Sequence, residues 1–185
     1  MKKLFFLVLT VLIVSCSSDD NNNVDDSGGN GDNNLAIGQS YKGGIIAYID
    51  STGQHGLIAA TENQSEGLHW YNGSFILTGA TSTGIGPGRT NTNAIITAQG
   101  SGSYAASIAR DYYVRGYTDW YLPSKDELNQ LYEHKTAIGE FYDAYHWSSA
   151  EFDSTNAWRQ DFYNGIQSNN GKDNTGISVR AVRAF

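Results

Sequence analysis

Residues 116–135 read GYTDWYLPSKDELNQLYEHK, and several independent local signals agree within this one stretch. Pro123 disfavours helix at the residue before it, so the chain is expected to be extended up to this point. Ser124 is a preferred helix N-cap, and Glu127 three residues later completes a capping box. The stretch therefore predicts an extended aromatic segment that runs directly into a well-capped helix.

The predicted helix has one apolar face, because Leu128, Leu131 and Tyr132 recur at helical spacing. Gly139 is the expected stop signal. The helix itself is expected to pack in the core. A ligand contact in this region is predicted for the loop before the helix, Tyr117 to Tyr121.

The first 15 residues are expected to be a lipoprotein signal peptide. Two lysines precede about eleven mostly apolar residues, Leu4 to Val14, a length typical of a signal peptide rather than of a membrane span of roughly 20 residues. The following Ser15-Cys16 ends a segment that resembles a bacterial lipobox, which makes Cys16 the predicted lipidation site. Because Cys16 is the only cysteine, the mature domain is expected to have no disulfide and no cysteine-based metal site or nucleophile.

Residues 16–34 are expected to form the lipidated cysteine and a flexible tether, since SSDDNNNVDDSGGNGDNN contains a single apolar residue. Acidic residues just after the cysteine resemble a surface-export signal of Gram-negative lipoproteins. The expected location is therefore the outer face of the bacterial outer membrane, with the membrane as a partner through the lipid anchor. Residues 35–185 are predicted to form a single domain.

The charge of the chain argues against nucleic acid as a partner. The formal net charge is −7, with 19 acidic and 12 basic residues. Five of the acids lie in the tether and two of the lysines in the signal peptide, which leaves 14 acids against 10 bases from Leu35 onwards. Nucleic-acid binding requires a basic patch, which this balance does not indicate.

The domain is expected to contain many short elements joined by glycine turns, since the chain has 21 glycines. A first hairpin is predicted from β-rich residues on either side of a turn, with Gly43 and Gly44 as signs of a bulge. A strong turn signal, Asn164-Gly165, predicts a second hairpin. The predicted strands cover residues 41–49, 55–60, 75–77, 144–149, 156–163 and 177–185, and the further helices cover 93–99 and 104–112, the latter capped by Ser103.

The glycine-rich segment Thr83 to Thr90 is not predicted to bind phosphate. Its glycine spacing is one residue short of a Walker A motif, and Arg89 stands where a lysine is required. The expected structure is a plain glycine loop.

Four ordered motifs between about Gly38 and Phe185 resemble the Lcl C-terminal-domain family, which is named for a collagen-like bacterial adhesin. The motifs are DWYLPSxxEL from Asp119, YHWSS from Tyr145, AWRQDF from Ala157 and VRAVR from Val179. His146 is a departure, because it separates the Tyr and Trp that are adjacent in the family's pattern. We expect this insertion to move Tyr145 off the face that it usually occupies.

The resemblance implies an α+β domain, C-type lectin-like, carried by exported or surface-anchored proteins. In the namesake, the domain is associated with binding sulfated host polysaccharides. That ligand is not expected to transfer, because a polyanion requires a positive face and this domain is mildly acidic. A non-catalytic recognition role for a polysaccharide or a surface protein is what the resemblance implies here.

Aromatic and charged residues near loops form the predicted ligand site. Rings can stack on sugars and charged groups can bind hydroxyls. On the strand 156–163, alternation places Trp158, Gln160 and Phe162 on one face and the other set toward solvent. The predicted site residues are Asp119, Trp120, Tyr121, Arg159, Asp161 and Tyr163; Trp70, Tyr71, Trp158, Glu151 and Lys172 were weighed as further surface contacts. Arg183, on an otherwise apolar strand face, is expected to need a buried ion-pair partner.

Two alternatives remain at this level. An envelope structural or assembly component that binds another protein fits the same pattern. An enzyme is less favoured, because the sequence contains neither GxSxG nor HExxH. No cofactor is predicted; oxygen ligands for calcium gather around Asp153, Asp161, Asn169, Asn170 and Asp173, but without a recognisable ligand spacing.

Overall fold

The structure is a computed structural model that describes residues 35–139, 141 and 144–185. The predicted signal peptide, Cys16 and the predicted tether lie outside the described residues. The strands are β1 Ser40–Tyr41, β2 Gly44–Ile49, β3 Gly56–Ala59, β4 Tyr145–Glu151, β5 Asn156–Asp161, β6 Gln167–Gly171 and β7 Val182–Ala184. The helices are α1 Gly88–Gln99, α2 Ala105–Asp111, α3 Lys125–Glu133 and α4 Lys135–Ile138.

The strands form two antiparallel sheets. One has the order β1-β2-β3-β7 and the other the order β4-β5-β6. All four helices of the described residues lie between β3 and β4 in the chain. The last strand, β7, returns to the first sheet and pairs with β3. The predicted mixed α+β class is confirmed.

The first hairpin is confirmed, but the predicted bulge is in the wrong place. Lys42 and Gly43 form the two-residue turn between β1 and β2, with φ of 42° and 88°, the positive angles that a type I′ turn requires. The register shift lies between Ile46 and Tyr48, inside β2.

The capping box that begins α3 is confirmed. Ser124 Oγ accepts from Glu127 N at 3.2 Å, and Glu127 Oε2 accepts from Ser124 N at 2.8 Å. The helix ends earlier than expected, at Glu133. The short helix α4 follows, and Gly139 with φ of 77° ends it.

Other element boundaries differ from the predictions. Helix α1 begins at Gly88 rather than residue 93, and the N-cap of α2 is Tyr104, whose N–H donates to Ser107 Oγ at 3.0 Å, so Ser103 is not the cap. Residues 75–77 form no strand, and strand β6 was not predicted. The C-terminal strand is limited to β7, because residues 177–181 bond irregularly to loop 60–68 and, through Ser178, to strand β4.

The core is built around Trp70, Trp120 and Trp147, all of which are buried. The indole N–H of Trp70 donates to Ser148 O at 2.8 Å, and that of Trp147 to Leu68 O at 2.7 Å. These two indole hydrogen bonds to backbone carbonyls tie the irregular loop 60–73 to strand β4. Among the described residues, no helix has the length and apolar character needed to cross a bilayer.

Candidate functional site

The aromatic segment Trp120-Tyr121 is interior, which corrects the expectation that these rings face a ligand. Trp120 is 1% exposed and Tyr121 is 2% exposed. Tyr121 pairs through its backbone with Val182, its N–H donating to Val182 O at 2.8 Å, so the segment acts as an extension of the first sheet. The rings are buried because they pack in the two hydrophobic clusters of the core, Trp120 with Ile58 and Trp147 and Tyr121 with Leu128 and Phe162.

Asp119 is committed to Arg183. The guanidinium meets the carboxylate twice, with Arg183 Nε to Asp119 Oδ1 at 2.7 Å and Arg183 Nη2 to Asp119 Oδ2 at 3.1 Å, and it lies 4.0 Å from the centre of the Tyr117 ring. Burial alone would raise the pKa of Asp119, but the hydrogen bond and charge of Arg183 outweigh it and lower that pKa. Arg183 was expected to need an ion-pair partner, and that partner is Asp119. We call this arrangement the Asp119 clamp.

The glycine loop before α1 binds an anion that the protein itself supplies. Glu127 Oε1 accepts from Gly86 N at 2.9 Å, and a β-carbon at Gly88 would lie 2.1 Å from Glu127 Oε2. Burial raises the pKa of Glu127 despite these backbone hydrogen bonds. The loop is therefore a structural nest for a carboxylate.

The other three predicted residues lie together, at the end of the second sheet where β5 turns into β6. Tyr145 is directly opposite Asp161, and Arg159 is directly opposite Ser168. Opposed residues share a sheet face, as do residues two apart on a strand. We call these four residues the Arg159 face; the exposed Tyr163 follows in the β5–β6 turn.

Arg159 is held in place but not neutralised. Its guanidinium lies 3.7 Å from the centre of the Tyr145 ring, and its Nε donates to Ser168 Oγ at 3.4 Å. Within the described part of the chain, no carboxylate lies within 4.0 Å of this half-buried side chain. A pre-oriented guanidinium without an acidic partner is suited to bind the oxygen atoms of a ligand.

The environment of Arg159 supplies both an acceptor and apolar rings. Asp161 is half-buried, and its Oδ1 accepts from Tyr163 N at 2.8 Å. Tyr163 is 72% exposed. The predicted solvent orientation of Arg159, Asp161 and Tyr163 agrees with this arrangement, and Gln160 and Phe162 are buried as expected.

The other aromatics weighed as surface contacts serve other roles. Trp70 is buried, and Trp158 is half-buried beneath Lys125, whose Nζ lies 4.1 Å from the ring centre. Glu151 and Lys172 are not available to a ligand either, because they form a buried ion pair at 2.8 Å.

His146 forms the layer beneath the Arg159 face. Its ring nitrogens lie 3.2 Å from Ala144 O and 3.3 Å from Asn63 Oδ1. Burial, together with the charge of Arg180, lowers the pKa of His146 to about 3. A histidine that stays neutral at ordinary pH and lies among these contacts is a packing residue.

A concave part of the surface lies beside α2. It is a depression of about 460 Å³ lined by Glu62, Asn63, Gln64, Ile108, Asp111 and Tyr112. Its two amides are already committed, because Asn63 Oδ1 accepts from Arg180 and Gln64 Oε1 accepts from Ala181 N. This depression therefore has fewer free polar groups to offer a ligand than its lining suggests.

Within residues 35–139, 141 and 144–185, no group of three or more His, Cys, Asp or Glu side chains is placed to hold a metal ion. Two oxygens considered for calcium already accept hydrogen bonds. Asp153 Oδ1 accepts from Thr155 N at 2.7 Å, and Asn170 Oδ1 accepts from Asn174 Nδ2 at 3.0 Å. The hydrogen bonds from Asn156 and Thr155 lower the pKa of Asp153 to about 2.

Sequence reasoning missed Tyr145 and Ser168 as parts of the site. The hairpin signal at Asn164-Gly165 would have placed Ser168 opposite Arg159, had strand β6 been predicted. Tyr145, which the sequence presents only as part of a departure from the family's pattern, lies across from Asp161 and stacks on Arg159.

The two antiparallel sheets and the intervening helices define a mixed α+β domain whose second sheet carries the partly exposed Arg159 face. A family model for the Lcl C-terminal domain matches residues 59–183. The chain belongs to this family, which identifies a surface-associated domain. Among curated proteins, none matches the chain significantly.

Proposed function

We propose that this protein is a non-catalytic recognition module that binds a glycan through the Arg159 face. The proposal includes a lipid anchor at Cys16 and a position on the outer surface of the bacterial outer membrane. It extends the coarser family assignment to a ligand class and to named residues.

One observation carries the proposal. Arg159 is held by Tyr145 and Ser168, yet no carboxylate of the described residues lies within 4.0 Å of it. A half-buried guanidinium without a carboxylate partner keeps N–H donors available for the oxygen atoms of a ligand. The Arg159 face therefore fits a ligand rich in hydroxyl or carboxylate oxygens.

The surroundings favour a sugar over a simple anion. Asp161 accepts hydrogen bonds from hydroxyl groups, and a nearby carboxylate would weaken the binding of an inorganic anion. Tyr145 and Tyr163 offer aromatic surface for the apolar faces of sugar rings. Acceptor, donor and ring on one surface are what a glycan requires.

No reaction is assigned to the buried polar groups, because each has a structural role. Glu127 binds the glycine loop, His146 packs beneath the sheet and Glu151 pairs with Lys172. They hold the fold that presents the Arg159 face.

The test is a glycan array probed with the full-length chain and its variants, followed by titration of the best glycan. We expect Arg159→Ala to weaken binding by about tenfold or more, the effect of removing a central arginine contact. Arg159→Lys is expected to restore little, since lysine lacks the planar guanidinium.

The matched control is Arg110→Ala, an exposed arginine paired with Asp111 at 3.0 Å and expected to bind like wild type. Circular dichroism verifies that each variant is folded. Equal binding by wild type and Arg159→Ala, or an array without a bound glycan, would overturn the proposal.

A further inference from the structure

Phe75, Ile76 and Leu77 present three consecutive apolar side chains to solvent. They are 47%, 37% and 69% exposed, respectively. We call residues 75–77 the apolar loop. Single exposed apolar residues are common, but an adjacent group of this size marks a contact surface.

A buried ion pair holds the apolar loop from beneath. Lys172 Nζ donates to Ile76 O at 3.0 Å and meets Glu151 Oε2 at 2.8 Å. The Glu151 carboxylate in turn accepts from Thr78 N at 2.8 Å and from Gly79 N at 3.3 Å. A buried ion pair is costly to desolvate. Here its hydrogen bonds to the backbone of Ile76, Thr78 and Gly79 fix the conformation of the apolar loop.

Internal hydrogen bonds hold Ile76 and the backbone on either side of the apolar loop. Ser74 O accepts from Gln99 Nε2 at 3.0 Å and from Ile76 N at 3.1 Å, while Ile76 O and Thr78 N are satisfied by the ion pair. Unpaired backbone groups are what normally keep loops out of the hydrocarbon phase. In the apolar loop, both backbone groups of Ile76 have internal partners, which suits a shallow position in the interface, where water still reaches the flanking residues.

The sequence around the apolar loop is uncharged. Residues 67–88 contain no Asp, Glu, Lys or Arg. Tyr71 stacks on Phe75 with ring centres 4.8 Å apart, and aromatic rings of this kind favour the boundary between lipid and water. Phe152, directly after Glu151 in the chain, is a further exposed aromatic, at 52%.

We propose that the apolar loop inserts into the interface of a lipid bilayer and orients the domain on the membrane. The anchor at Cys16, on which this inference rests for its proximity to lipid, belongs to the proposed function. The 18 residues from Ser17 to Asn34 span at most about 65 Å, and a domain of this size is roughly 40 Å across. An anchored domain thus stays within reach of the bilayer, where even a weak contact is populated.

The orientation leaves the proposed glycan site free. The apolar loop is linked to Glu151, at the β4–β5 end of the second sheet, whereas Tyr163 lies in the turn at the β5–β6 end. These hairpins are at opposite ends of β5. Insertion of one end therefore directs the other away from the membrane.

The test measures insertion with a tryptophan reporter in the full-length chain bound to phosphatidylcholine vesicles that contain brominated acyl chains. Leu77→Trp is the reporter in the apolar loop, and Tyr163→Trp is the matched control at the opposite end. Because the chain has four native tryptophans, each variant is compared with the wild type. Relative to it, we expect a blue-shifted emission and strong quenching for Leu77→Trp, and neither change for Tyr163→Trp. Because the loop is uncharged, the quenching is expected to be insensitive to salt.

A second measurement separates the loop from the anchor. In a Cys16→Ala background, replacing residues 75–77 with serine is expected to weaken vesicle partitioning by about tenfold or more, since the transfer free energy of three apolar side chains is lost. Mass spectrometry of the wild-type chain tests lipidation of Cys16 independently. Equal quenching at both reporter positions, or unchanged partitioning of the serine variant, overturns the insertion proposal; capture of a protein by the apolar loop in place of lipid would do the same.

Discussion

Two arginines in this domain stack on tyrosines, and their different partners separate an interior clamp from an exposed binding face. Arg183 lies 4.0 Å from the Tyr117 ring and Arg159 lies 3.7 Å from the Tyr145 ring. Arg183 is also paired with Asp119, whereas no carboxylate of the described residues lies within 4.0 Å of Arg159. An arginine–tyrosine stack alone therefore does not identify a site; the satisfied or missing charge partner does.

Trp120→Ala is the strongest test of the interior region. Trp120 is buried and contacts the Tyr112 ring with centres 5.1 Å apart. Removing a buried tryptophan typically costs about 3–5 kcal/mol of unfolding free energy, measurable by urea denaturation. Binding by the fraction that remains folded should be unchanged, so a selective loss of glycan binding would restore Trp120 to the site.

Trp120→Phe is the matched variant. The indole N–H of Trp120 is buried and has no hydrogen-bond partner among the described residues. Removing it relieves the cost of an unsatisfied donor, about 1–3 kcal/mol. The net loss of stability is therefore expected to be well below that of Trp120→Ala.

The pH dependence of stability distinguishes the layer beneath the Arg159 face from the Asp119 clamp. Burial lowers the pKa of His146 from 6.5 to about 3 in the folded state. The stabilisation that neutral His146 adds to the free energy of unfolding is therefore complete above pH 6.5 and declines as the pH falls toward 3. The loss is about 1.4 kcal/mol per pH unit, and hence roughly 2 kcal/mol has been lost at pH 5. The pKa of Asp119 is lowered in the folded state, so protonation of this carboxylate reduces stability only as the pH falls below its ordinary pKa of 3.8.

The measurement is urea denaturation between pH 7.5 and 4.5 for wild type, His146→Gln and the exposed control His55→Gln. His146→Gln should flatten the decline, while His55→Gln should follow wild type. A decline of the same size in His146→Gln would assign the titration to other groups.

Arg183→Ala tests the Asp119 clamp with an intermediate effect. It removes two charge-assisted hydrogen bonds to Asp119, one donor to Lys42 O and the stack on Tyr117. Because the Asp119 side chain is 36% exposed, water partly replaces these contacts, and we expect a loss of about 1 kcal/mol. Adding Asp119→Asn to this variant should lower the free energy of unfolding little further. A double-mutant cycle with the two single variants measures this coupling.

Arg159→Ala should have the smallest effect on stability. It removes one long hydrogen bond and one exposed stack, and we expect a change of about 0.5 kcal/mol. The unfolding midpoint in urea measures it. A loss as large as that of Arg183→Ala would make Arg159 a structural residue and remove the distinction between the two regions.

Local signals predicted the features that depend on residues close together in the chain. The capping box of Ser124 and Glu127 spans three residues, and the turn at Asn164-Gly165 is similarly local. A charge on an apolar strand was enough to predict an ion pair for Arg183. The same signals did not reveal that Glu127 also binds Gly86, which lies 41 positions earlier.

The sequence by itself determined the α+β class, the cap of α3, the first hairpin and the family, because these depend on periodicity and short-range pairing. Only the tertiary structure decided which predicted site residues are exposed. Trp120 and Tyr163 both lie beside turns, yet one is 1% and the other 72% exposed. Burial and charge neutralisation depend on residues distant in the chain, such as Asp119 and Arg183, 64 positions apart, and no local pattern specifies those encounters.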